Sequence, residues 1–200
     1  MIEDSYTTIE GLSEAIYTEK RSKFLAFAIP VESLDAVKEI VDAYQKKYYD
    51  ARHVCYAYML GADRNIFRAN DNGEPSGTAG KPILGQIRSK ELTDILVVVV
   101  RYFGGIKLGT GGLVVAYKTA AAVALEKSVF LTKTVDVTVR ISFEYCLMND
   151  VMRVVKEMEP TVLERVFEMD CRMSLSIRKS LFPDLLDRLT KIERLRVEEE

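Results

Sequence analysis

The feature that most constrains this chain is the run "DILVVVV" (94–100), which continues without a break into "RYFGGIKLGTGGL" (101–113). An unbroken β-branched strand offers no polar face to water, so it must be covered on both sides. The stretch after it holds five glycines, with Arg101 and Lys107 as its only charges. Beyond it, residues 113–125 carry a single charge, Lys118, which predicts a helix that is apolar nearly all round and sits deep. Strand, bare loop and buried helix thus follow one another. Thr110 is the expected cap of that helix.

Periodicity places the other elements around this unit. "AIYTEKRSKFLAFAIPV" (15–31) reads as two strands around a charged turn. Leu34, Val37, Ile40, Val41, Tyr44 and Tyr48 then recur at helical spacing, with Ser33 available as N-cap. "HVCYAYML" (53–60) and "NIFRAN" (65–70) form a hairpin about "GADR". A second glycine-rich loop, "GEPSGTAGKP" (73–82), leads into a helix that Ser76 or Thr78 is placed to cap and Pro82 to start. The segment 128–134 is read as a link. After it come strand, helix, hairpin, helix and strand, the split order of a ferredoxin-like sandwich. The expected class is α+β, with domains at 1–133 and 134–200.

Charge narrows the function classes. The chain carries 28 Lys and Arg against 30 Asp and Glu, so no global basic field marks a polyanion partner. Between Arg64 and Lys118, however, eight basic residues face four acidic ones, a local charge of +4 where most of the glycines lie. Cys55, Cys146 and Cys171 are widely spaced and include no CxxC pair, which fits a reduced setting and no zinc site. The opening "MIEDSYTTIEG" lacks the pattern of a signal peptide, and no apolar run reaches the roughly 20 residues of a membrane span. These features predict a cytoplasmic protein with no membrane, metal or cofactor requirement.

Nucleotide fingerprints fail on inspection. A P-loop ending at Gly80 and Lys81 needs Gly where Pro75 stands and Ser or Thr where Pro82 stands, and a GxGxxG begun at Gly109 ends on Val114. The two glycine loops instead suggest one concave surface. It would combine Glu74, Ser76, Thr78 and Lys81 with Arg101, Gly104, Gly105, Lys107, Gly109, Thr110, Gly111 and Gly112, holding anions on backbone N–H groups and point charges. Tyr102 and Phe103 are placed either to stack on unpaired bases or to fill core. His53 and Cys55 share one face of a strand, where a nucleophile and base or simple packing are both open.

The blocks "KRSKFLAFA" (20–28), "DARHVCYAY" (50–58), "NGEPSGTAGKPIL" (72–84) and "VVVVRYFGGIKLGTGGLVVAY" (97–117) resemble the IMPACT family and its bacterial YigZ-like members. The resemblance implies an N-terminal domain similar to domain four of elongation factor G and a C-terminal domain similar to its domain five. It implies a place near translation, since the eukaryotic relatives regulate the stress kinase that controls initiation. The family signature falls on Glu74 to Gly80 and on Arg101 to Gly105, with Leu108 and Gly109. It supplies no catalytic residue. The expected partner is RNA or the ribosome, with a regulatory protein partner, and an enzyme acting on a small phosphorylated or anionic substrate, as the readings that stay open.

Overall fold

The computed structural model describes residues 4–199. The chain divides into two compact units, one spanning Tyr6–Lys133 and the other formed by the residues before Tyr6 together with those from Thr134 onward.

The first unit is built on a five-stranded antiparallel sheet. Its strands are β2 (Ser13–Glu19), β3 (Ser22–Pro30), β4 (His53–Leu60), β5 (Ile66–Asn70) and β6 (Ile95–Tyr102), in the order β2-β3-β6-β4-β5. The unbroken apolar run is the central strand β6. Its side chains alternate between two cores, which is why it needs no polar face. Ile95, Val97 and Val99 join Ala26, Ala28 and Ala57 beneath α2 (Gly80–Ser89) and α3 (Gly109–Glu126). Leu96, Val98 and Val100 meet Phe27, Val54 and Tyr58 beneath α1 (Leu34–Lys47). Alanines on the sheet and at Ala116, Ala120, Ala121 and Ala124 of α3 let that helix lie close to the strands.

Several local expectations hold. Ser33 caps α1 by accepting the Ala36 N–H at 3.2 Å. The charged turn is Lys20–Arg21, both at positive φ, between β2 and β3. Three expectations need correction. α3 begins at Gly109 with Leu108 before it and no side-chain cap, so Thr110 lies inside the helix. α2 likewise lacks a cap from Ser76 or Thr78, because another residue holds its first N–H groups. α3 also exposes Val114 and Val115, so it is buried on one side only.

The segment 128–134 contains a strand, β7 (Phe130–Thr134), paired with β1 (Ser5–Ile9) in a two-stranded sheet. The Thr93 N–H donates to the Thr7 carbonyl at 3.0 Å and ties this ribbon to the body of the unit. In the second unit, β8 (Asp136–Glu144), α4 (Met148–Met158), β9 (Thr161–Val166), β10 (Asp170–Arg178), α5 (Phe182–Thr190) and β11 (Arg196–Glu199) give the sheet order β11-β8-β10-β9. All three pairings are antiparallel, as a ferredoxin-like sandwich requires. Val139, Ile141, Phe143, Met173 and Leu175 pack under α4 and α5. The fold is thus α+β.

One glycine is fixed by space alone. A Cβ on Gly104 would stand 2.0 Å from the Arg21 carbonyl carbon, so the loop after β6 crosses the β2–β3 turn with no room for a side chain. Gly85, in the middle of α2, meets nothing within 4 Å. Urea unfolding should therefore show Gly104→Ala destabilising by about 1–3 kcal/mol, while Gly85→Ala stabilises by about 1 kcal/mol.

Candidate functional site

The strand directions bring many chain turns to one end of the five-stranded sheet. β6 ends beside the start of β3 through the pair Lys23 and Tyr102, and beside the start of β4 through His53 and Arg101. β5 ends beside the start of β4, so the loop 71–79 emerges at the same end, as do the N-termini of α2 and α3. Both glycine loops therefore belong to this end.

A buried carboxylate joins them. Glu74 accepts from Arg101 Nη1 at 2.6 Å and from the Tyr117 hydroxyl at 2.9 Å, with its Oε2 3.9 Å from His53 Nε2. Glu74 and Arg101 are both more than nine-tenths buried. The guanidinium also lies 5.7 Å from the ring centroids of both Phe24 and Phe103. Arg101 Nε is buried without a hydrogen-bond partner among the described residues. Loop, central strand and α3 thus share one charged contact. The consequence for the expected surface is a correction: Arg101 and Glu74 neutralise each other inside the fold, and neither is offered to a ligand.

A second carboxylate orders the rest of the loop. Asp71 Oδ1 accepts the N–H groups of Ala79 and Gly80 at 3.0 and 2.8 Å, and its Oδ2 accepts that of Gly77 at 2.8 Å. Burial pushes its carboxyl up, but the Gly77, Gly80 and Ala79 N–H groups and nearby Lys81 together hold it below the usual range. The amides expected to meet a foreign anion at α2 already hold an internal one. Thr78 is buried too, its hydroxyl donating to the Pro75 carbonyl at 2.6 Å. Gly77 takes a φ of +78°, which glycine adopts without strain.

His53 and Cys55 lie on this buried side. His53 Nδ1 donates to the Asn72 carbonyl at 2.9 Å, and Cys55 Sγ donates to the Asp71 carbonyl at 2.9 Å and lies 3.3 Å from the Tyr117 oxygen. Burial pushes the Cys55 thiol up to about 12, far from thiolate at neutral pH, and it raises the Tyr117 phenol still more strongly. The pair packs the loop against the sheet.

What remains outside is the solvent face of the first loop and the whole of the second. Ser76, Lys81, Phe103, Gly105, Lys107, Gly109, Thr110 and Gly111 are exposed, while Gly104 and Gly112 are half-buried. Phe103 is 50% exposed, which decides against core for its ring. Tyr102 is half-buried and donates its hydroxyl to Asp50 at 2.9 Å. Sequence reasoning missed Asp71 and Tyr117. An Asp ahead of a glycine loop is the residue type that gathers successive N–H groups, and a lone Tyr in an apolar helix needs a partner for its hydroxyl.

Comparison with known proteins agrees with the motif blocks. The Impact N-terminal domain matches residues 20–125, just over half of the chain. The IMPACT family member YvyE of Bacillus subtilis is 42% identical over 113 residues, 56% of this chain and 52% of that relative, so the match spans about half of its length. An IMPACT family member of Haemophilus influenzae is 30% identical over 174 residues, 86% of this chain and 84% of that protein. A crystal structure of a hypothetical protein superposes with a TM-score of 0.75 at 27% identity, covering 98% of both chains.

Removing one member of the buried pair should cost far more than removing both. In chemical denaturation, Arg101→Met leaves a buried carboxylate facing an apolar chain and should lose about 3–5 kcal/mol. Adding Glu74→Leu should recover most of that loss. Additive losses in the double variant would mean that the two residues act independently.

Proposed function

Because the chain belongs to the IMPACT family, we propose that it is a non-catalytic, translation-associated regulator that binds RNA, free or on the ribosome, through the outer face of its glycine-rich end. Family membership supports the link to translation. The observation that carries the RNA reading is the sorting of charge at this end. The carboxylates of Glu74 and Asp71 are consumed inside by Arg101 and by backbone N–H groups, which leaves Lys81, Lys107 and the ring of Phe103 exposed on the two loops. The α3 N-terminus adds amides that no side chain caps. Phosphates suit the cations and amides, and an unpaired base suits the ring.

The same contacts disfavour the enzymatic reading. A general base at this end would have to be Glu74 or His53, and both are committed to partners within the fold, while the Cys55 thiol is held protonated. Arg101 also leaves the set of cations that meet phosphate, so Lys81 and Lys107 carry that role at the two loops.

Binding of single-stranded RNA should weaken with added salt, and Lys107→Ala should make the log-log slope shallower by about 0.7. A flat salt response, or an affinity indifferent to Lys107→Ala, contradicts the reading. Copurification that survives nuclease treatment, without RNA binding, would assign the surface to a protein partner instead.

A further inference from the structure

The sheet end that holds the glycine loops continues, on the α1 side, into a surface that none of the motif blocks assigns to a ligand. The Gly104 N–H donates to Ser22 Oγ at 3.2 Å, and Gly104 passes directly over the backbone of Arg21, so the β2–β3 turn abuts the 103–105 segment. Lys23 stands opposite Tyr102. Tyr102 donates to Asp50 just past the end of α1 and lies near Tyr48 and Tyr49.

This surface is cationic and aromatic. Lys20, Arg21, Lys23, Lys47 and Arg52 are all exposed, and none is in an ion pair among the described residues. Of the neighbouring acids, Glu19 accepts the Tyr17 hydroxyl and Asp50 that of Tyr102. The Lys47 ammonium lies 5.2 Å from the Tyr48 ring centroid. Tyr49 is 85% exposed, a ring no globular core accounts for.

The turn supplies an independent observation. Lys20 and Arg21 have φ of 45° and 65° in a two-residue hairpin turn, positions where Asn and Gly are the unstrained choice. Two long cations in left-handed conformations thus stand at the exposed tip of this turn, two of eight non-glycine residues at positive φ among the described residues.

We propose that this surface binds unpaired RNA, with Tyr49 stacking on a base and Lys20, Arg21, Lys23, Lys47 and Arg52 meeting the phosphates. Charge complementarity selects a polyanion, and the exposed ring beside the cations selects one whose bases are not hidden in a duplex. The inference rests on the RNA reading above and extends it: the strand leaves the glycine loops at Phe103 and runs across the β2–β3 turn toward the end of α1.

The test uses the full chain with labelled oligouridylate, the same oligonucleotide paired with oligoadenylate, and two variants. Lys20→Asn with Arg21→Gly removes both cations while giving the turn its preferred residues, so the thermal midpoint should hold or rise. Its binding should weaken, with the salt slope shallower by about 0.7 per cation lost. Tyr49→Ala should weaken binding of the single strand on the order of tenfold and leave the duplex unaffected. If the single strand binds but both variants bind as the wild type does, or if the duplex binds equally well, this proposal falls and the glycine-loop reading stands. If the wild type binds no RNA while a protein partner survives nuclease, both fall.

Discussion

The Glu74–Arg101 contact holds the first unit's glycine-rich end together. A buried ion pair carries a desolvation cost that its Coulombic attraction barely offsets, so its presence calls for a reason other than bulk stability. The reason is placement. Arg101 ends the central strand, Glu74 sits in the first glycine loop and Tyr117 projects from α3, so a single carboxylate at 2.6 and 2.9 Å from its donors registers three separate pieces of chain. Breaking it would leave an uncompensated charge where the loops meet.

From that contact follows a division between inward and outward charge. Asp71 repeats the device with backbone donors, filling the N-terminus of α2 from within. α3 is treated differently: Leu108 precedes it, no side chain caps it, and Gly109, Thr110 and Gly111 are exposed. Two similar glycine loops therefore have different roles. The first is closed by its own acid, and the second leaves its amides to solvent, flanked by Lys107 and Phe103.

Much of this fold was legible because its signals are local. The valine run required cover on both faces, and α1 declared itself by spacing and by Ser33. The β1 and β7 strands were not legible, since "SVFLTKT" lacks clean alternation and its partner lies more than a hundred residues away. The site divided in the same way. Exposed glycines, Lys81 and Lys107 could be named from composition, but the burial of Arg101 depends on Glu74 being opposite it, a tertiary fact that the spacing of the two residues does not encode. Tyr49 was passed over because an exposed ring past the end of a helix has no periodicity to mark it.

The central claim is that the inner carboxylates occupy one set of amides and leave another for phosphate. Amide hydrogen exchange with and without single-stranded RNA measures both sets at once. Gly77, Ala79 and Gly80 should be protected in the free protein and unchanged on binding, while residues 105–112 gain protection only with RNA. Protection arising at 77–80 on binding, or none arising at 105–112, would contradict the account.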